Sequence, residues 1–208
     1  MLERRTSALK VSGAAQGAEL ANQTVGELAP DFDEQRVVEA AQGGDQVALA
    51  TLYDHYFPRV YRYASARLVS NEDAEDVTTE IFLRIIENLG SFAWRGLPFG
   101  AWVFRIARNE VVSHVRKAKV RVTTGQLTEL IQDPSPDHVD EIVTAFTVAT
   151  VREAAERLPE AQRQVIALRF GAGLSVAETA QALGKTANNV KVLQHKAIAK
   201  LQIMVQDE

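Results

Sequence analysis

From Asp33 onward, apolar side chains recur every three or four residues, the repeat that turns one stripe of an α-helix toward a core. The first such stretch places Val37, Ala40 and Ala41 on one face and stops at Gly43-Gly44-Asp45. A longer one follows, with Leu49, Leu52, Tyr53, Tyr56, Val60, Tyr63, Ala64 and Leu68 in register. Pro58 lies inside it, which predicts a kink or a local restart, because proline removes a donor and crowds the preceding turn. Ser70 or Asn71 can cap the next helix, and Ser70 with Asp73 has capping-box spacing. At about 100° per residue, Ala74, Val77, Thr78, Ile81, Phe82, Ile85 and Leu89 share its buried side. The opposite side collects Asp76, Glu80, Leu83 and Glu87.

A fourth helix is expected after Pro98, with Phe99, Val103, Ile106, Ala107 and Val111 inward. Arg105, Asn109, Val112 and Arg116 fall in a strip about 60° wide on its outer face, flanked by Arg108 and Lys119. Between these helices lies SFAWRGLPF, too aromatic for a plain solvated linker. Regularity then fails over 122–149, which carries five acids, no Lys or Arg, and Pro134 and Pro136. A second compact unit starts near Val151, punctuated by glycines at 171, 173 and 184. Within it Ala180, Gly184, Val190 and Leu193 have helix-turn-helix spacing: the alanine lets two helices approach and the glycine takes the turn. Thr186 can cap the second of these helices, with Asn189 three residues on.

The fold class is therefore all-α, two small helical domains joined by a flexible linker. The divisions expected are an N-terminal extension over 1–32, a first domain over 33–119, an acidic linker over 120–150 and a second domain over 151–208. The extension is Gly/Ala/Ser/Gln-rich with little periodicity, so it reads as mostly disordered.

Charge changes the picture from fold to chemistry. The net charge is −4, so the surface as a whole is not basic, yet charge is strongly segregated. Glu72, Asp73, Glu75, Asp76, Glu80 and Glu87 face only Arg84 in one stretch, whereas Arg95, Arg105, Arg108, Arg116, Lys117 and Lys119 face only Glu110 in the next. Long cations with an Asn along one stripe suit phosphate contact and base-edge readout. In the second unit Asn188, Lys191, Val192 and His195 point outward with Lys196 at the edge, and Lys185 to Lys200 includes four lysines and no acid. That pattern suits insertion into a major groove. The chain has no cysteine, which excludes disulfides and thiolate metal sites. No apolar run approaches the roughly 18 residues of a membrane span, and no secretory leader is evident, so a cytoplasmic protein without membrane insertion is expected. There is no Gly-rich phosphate loop, nucleophile elbow or zinc-protease motif. His55, His114, His138 and His195 lie in different segments, and Glu110 with His114 shares the expected core side of a helix. No catalytic residue, metal site or cofactor is expected, and the chain is not read as an enzyme.

The stretches LYDHYFPRVYRYA, DAEDVTTEIFLRI and FGAWVFRIARNEVVSHVRK, followed by LPEAQRQVIALRF and GLSVAETAQALGKTANNVKVLQHKAIAKL, resemble regions two and four of bacterial RNA polymerase sigma factors of the extracytoplasmic-function class. The resemblance spans Gln46 to Leu201. It implies that region two binds the clamp of core RNA polymerase, melts the minus-ten element and traps a flipped base. It also implies that region four binds the polymerase flap and reads the minus-thirty-five element, with an anti-sigma factor as a further partner. Position by position, it assigns core polymerase contact to Asp73, Asp76, Glu80, Leu83 and Glu87. It assigns minus-ten contact to Asn88, Phe92, Arg105, Asn109, Val112 and Arg116, with Phe92 at the base pocket. Minus-thirty-five contact falls to Asn188, Asn189, Lys191, Val192, His195 and Lys196. The alternative from the residues themselves is a conventional helix-turn-helix regulator that works without being a polymerase subunit.

Overall fold

A computed structural model describes residues 32–123 and 150–206. The expected N-terminal extension, apart from Phe32, and residues 124–149 of the expected acidic linker lie outside the described residues, which contain helices and no strand, and residues 120–123 and 150 of that linker are helical. The chain divides into two compact units, and the division falls inside a helix, between Val112 and Ser113.

In the first unit, α1 (Glu34–Gln42) starts at Asp33, whose carboxylate accepts the Arg36 amide at 3.1 Å. The chain turns at Gly43-Gly44, where Gly44 has φ of 92°. Helix α2 (Gln46–Ser65) is capped by Asp45, which accepts from Val47 and Ala48 at 2.8 and 3.2 Å. It runs unbroken through Pro58, so the restart expected there does not occur. A long apolar face packed on two helices outweighs the one lost amide bond. Helix α3 (Asn71–Asn88) begins with Ser70 accepting the Asp73 amide at 2.9 Å and runs into a 3₁₀ turn, Leu89–Ser91. Its expected inner face is buried at every position, Ala74, Val77, Thr78, Ile81, Phe82, Ile85 and Leu89. Helix α4 (Phe99–Thr123) follows the aromatic loop. Phe99, Val103, Ala107 and Val111 are fully buried, while Ile106 is only half-buried. Tyr56 and Tyr63 of α2 pack edge-on against Phe99 and Phe104 of α4, at 5.5 and 6.2 Å between centroids.

The second unit is helical over 150–156, then forms α5 (Glu160–Ile166), which continues as a π-helical turn, Ala167–Gly171. Helix α6 (Val176–Leu183) carries a complete capping box between Ser175 and Glu178. Gly184 ends it with φ of 62°, and the Lys185 amide bonds back to Ala180 at 2.8 Å. Only a residue without Cβ takes that left-handed turn without strain. Helix α7 (Ala187–Gln206) opens with the Asn189 amide on the Thr186 hydroxyl at 3.2 Å. Val165, Ala180 and Val190 form the centre of this unit, with Val176, Leu183 and Leu193 against them. The helix-turn-helix spacing of the sequence is thus a packed α6-turn-α7 pair.

Candidate nucleic-acid and polymerase interface

Three exposed faces carry the residues singled out by the sequence. The first is the outer side of α3. Asp76, Glu80, Leu83 and Glu87 are all exposed, whereas Asp73 is half-buried in the first turn beside its cap. Glu87 pairs with Arg84 at 3.1 Å, a surface contact worth little by itself. Arg84 also lies 3.8 Å from Glu110, so Glu110 reaches toward α3, and Glu110 and His114 are both half-buried rather than in the core. The sequence reading missed Ile86, which is 43% exposed next to Leu83 at 42%. The two border an apolar groove of about 710 Å³ between α2 and α3, with Leu49, Ala50, Tyr53 and Phe82 among its walls. Leu83 is therefore one edge of a groove and not an isolated surface leucine.

The second face is the aromatic loop with α4. Arg105, Asn109, Val112 and Arg116 are all exposed along one strip of α4, and Arg108 is half-buried at its edge. Asn88 is exposed at the end of α3, where its amide donates to the Arg84 carbonyl at 2.8 Å. Phe92 is buried, 7% exposed, with centroids of Trp94, Phe99 and Trp102 at 5.0, 5.1 and 5.3 Å. Its backbone carbonyl accepts from Gln42, which also holds the Leu89 carbonyl, at 2.8 and 2.9 Å. In this arrangement the Phe92 ring supports the loop from beneath. Trp94, at 38%, is the exposed aromatic of the loop. Neither Gln42 nor Trp94 was singled out from sequence. Their signal was only a polar residue at the end of a helix and one aromatic among several.

The third face is α7. Asn188, Asn189, Lys191, Val192, His195 and Lys196 are all exposed, and Val190 beneath them is completely buried. One side of the helix is thus clamped to α5 and α6 while the other presents donors, an imidazole and a valine. Amide and ammonium donors read base edges and phosphates, and an exposed apolar side chain can meet a thymine methyl.

Among the described residues, no group of three His, Asp or Glu side chains is placed to hold a metal ion, and no helix is long and apolar enough to cross a membrane.

Comparison with known proteins finds two family regions in chain order. Sigma-70 region 2 matches residues 52–121 and Sigma-70 region 4 matches residues 154–202. The ECF RNA polymerase sigma factor BldN of Streptomyces coelicolor is 39% identical over 186 residues, covering 86% of this chain and 70% of that protein. The ECF RNA polymerase sigma factor SigD of Mycobacterium tuberculosis is 34% identical over 173 residues, covering 80% of this chain and 81% of that protein. Among solved structures, CnrH in complex with the cytosolic domain of CnrY is similar in fold, with a TM-score of 0.65 at 23% identity, covering 83% of this chain and 96% of that one. The sigma factor RpoE, in complex with the anti-sigma factor NepR from Bartonella quintana, gives 0.59 at 23% identity over 76% of this chain and 96% of that one. With both region models in order and relatives matched across most of their length, the chain belongs to the ECF sigma factors of the sigma-70 family.

Proposed function

We propose that this sigma factor joins core RNA polymerase through the outer face of α3 and directs it to promoters read by α4 and α7. The observation that carries the reading is the presence of two helices with exposed nucleic-acid-type faces, α4 and α7, together with an acidic and apolar face on α3. Each DNA-binding unit alone binds weakly. Docking both on one polymerase makes the second contact intramolecular, so affinity arises from spacing as well as chemistry.

The roles divide by chemistry. Asp76, Glu80, Leu83 and Glu87, with Asp73 at the helix start, present carboxylates around an apolar groove, which suits a basic amphipathic helix of the polymerase clamp. Asn188, Asn189, Lys191, Val192, His195 and Lys196 enter the major groove of the minus-thirty-five element as duplex. Arg105, Asn109, Val112 and Arg116 hold the minus-ten element, with Asn88 and Phe92 at the loop that receives an unpaired base. Unstacking that base costs a few kcal/mol, which aromatic contact in the loop offsets. The chain supplies binding and strand separation and performs no bond chemistry of its own. It works where the polymerase is, in the cytoplasm. A relative of the same fold is held by an anti-sigma factor, and we assign this chain a partner of the same kind.

The test is reconstitution. Core polymerase plus this chain should initiate at discrete start sites that share two spaced elements, while neither component alone does so. A chain that bound duplex DNA tightly by itself and left start-site choice unchanged would be a conventional helix-turn-helix regulator.

A further inference from the structure

The aromatic loop has few backbone ties of its own. It leaves α3 through the 3₁₀ turn Leu89–Ser91, where the Phe92 amide donates to the Leu89 carbonyl at 3.1 Å and the Ser91 hydroxyl to the Asn88 carbonyl at 2.7 Å. Among the described residues, the next backbone hydrogen bond along the chain runs from the Trp102 amide to the Pro98 carbonyl, at 3.2 Å. The backbone from Ala93 to Leu97 thus makes none to another described residue, and Gly96 lies within it at φ of 75°. A span held only at its ends takes its position from those ends. For Trp94, two residues past Phe92, the nearer end is the Phe92 backbone.

Gln42 holds that end. It is the last residue of α1 and half-buried, and its Nε2 donates to two carbonyls at once, Leu89 at 2.9 Å and Phe92 at 2.8 Å. An amide nitrogen carries two hydrogens, so one side chain serves both acceptors, 47 and 50 residues away in sequence. The helix end behind it is itself closed, with the Gly43 amide on the Glu39 carbonyl at 3.0 Å. At the start of α1 the Glu34 carboxylate accepts from the Tyr56 hydroxyl. The Tyr56 ring packs on Phe99, and Phe99 on Phe92 at 5.1 Å. Ring packing sets how deep Phe92 sits, but apolar contact is non-directional and leaves the backbone free to turn about the ring. Two hydrogen bonds to adjacent turns of backbone are directional and remove that freedom.

We propose that Gln42 is a positioning residue for promoter opening: its amide pins the start of the aromatic loop to α1 and so keeps Trp94 presented to an unpaired base. The proposal rests on the reading of this loop as the part that receives that base. Gln42 acts through the Phe92 backbone and needs no contact with DNA. It gives α1, which carries none of the residues on the three exposed faces, a part in strand opening.

The test is the rate of promoter opening by reconstituted holoenzyme, read by permanganate, for Gln42→Met, Trp94→Ala and the double variant. Gln42→Met keeps the length of the side chain and removes both donors. Two amide hydrogen bonds of ordinary strength correspond to about a tenfold change in how well the loop is held, so opening should slow about tenfold while core polymerase is bound normally. In the Trp94→Ala background the same substitution should slow opening by less than about twofold, because the ring it positions is gone, whereas a merely structural role costs the same in both backgrounds. Gln42→Glu offers acceptors where donors are needed and should behave as Gln42→Met does; it decides if Gln42→Met does not fold. Gln35→Met should leave opening unchanged, since the Gln35 amide bonds only Glu39 on the exposed side of α1, at 2.8 Å. Opening by the Gln42 variants at the wild-type rate, or an equal loss with and without Trp94, would overturn the assignment. Unchanged opening by Trp94→Ala would instead overturn the reading of the loop on which this one stands.

Discussion

Truncating Phe92 separates support of the loop from direct contact with DNA. The ring is 7% exposed and meets three other aromatic rings with centroids 5.0 to 5.3 Å away. Phe-to-Ala changes at such sites cost about 3–5 kcal/mol, through lost transfer energy and the cavity left behind. For a domain of this size each kcal/mol lowers the melting temperature by roughly 4–8 °C, so even the lower bound predicts a fall of about 12 °C. Both tryptophans of the chain, Trp94 and Trp102, lie in this loop and in α4, so their fluorescence follows the first unit alone. Trp94→Ala is the contrasting variant. Its ring is 38% exposed and makes one edge-on contact with Phe92, so its loss should cost about 1 kcal/mol of stability. It should nevertheless impair promoter opening, and a pre-melted template should restore transcription. Permanganate footprinting of both variants, beside fluorescence-detected melting, decides. A Phe92→Ala protein that melts within about 3 °C of wild type yet fails to open promoters would refute the reasoning and place the ring in the DNA pocket.

Three further outcomes are expected. Leu83→Arg, at the edge of the apolar groove, should abolish most capture of core polymerase while leaving the melting temperature unchanged, because the side chain is already exposed; pull-down and melting of one preparation check both. Lys191→Ala and His195→Ala should alter preference within randomised minus-thirty-five libraries by about 1–3 kcal/mol per lost base contact, whereas Lys200→Ala should weaken all sequences alike. Gly184→Ala should destabilise the second unit by about 1 kcal/mol because φ is 62°, although nothing lies within 4 Å of the added Cβ; urea unfolding measures the loss, and a stability gain would show the strain argument to be wrong.

Periodicity determined most of the helical layout. Every residue assigned to the inner face of α3 is buried, because a repeat of about 100° per residue leaves one stripe that can reach a core. The same arithmetic located the exposed strips on α4 and α7, and local chemistry located the caps at Ser70 and Thr186. Where no period exists, sequence could not rank neighbours. Phe92 and Trp94 stand two apart in an irregular loop, and only the packing of Phe99 and Trp102, with Gln42 tying the loop from α1, buries one ring and exposes the other. Pro58 is a break by local rules, yet α2 passes through it because its faces are held by Phe99 and Phe104 on one side and Phe82 on the other. Leu83 and Ile86 become the edge of a groove only when α3 lies beside α2. Arg59 and Arg62 look like ordinary surface cations in the chain. The place of Arg59 over the Phe104 ring comes from contact between helices more than forty residues apart, which no local pattern encodes.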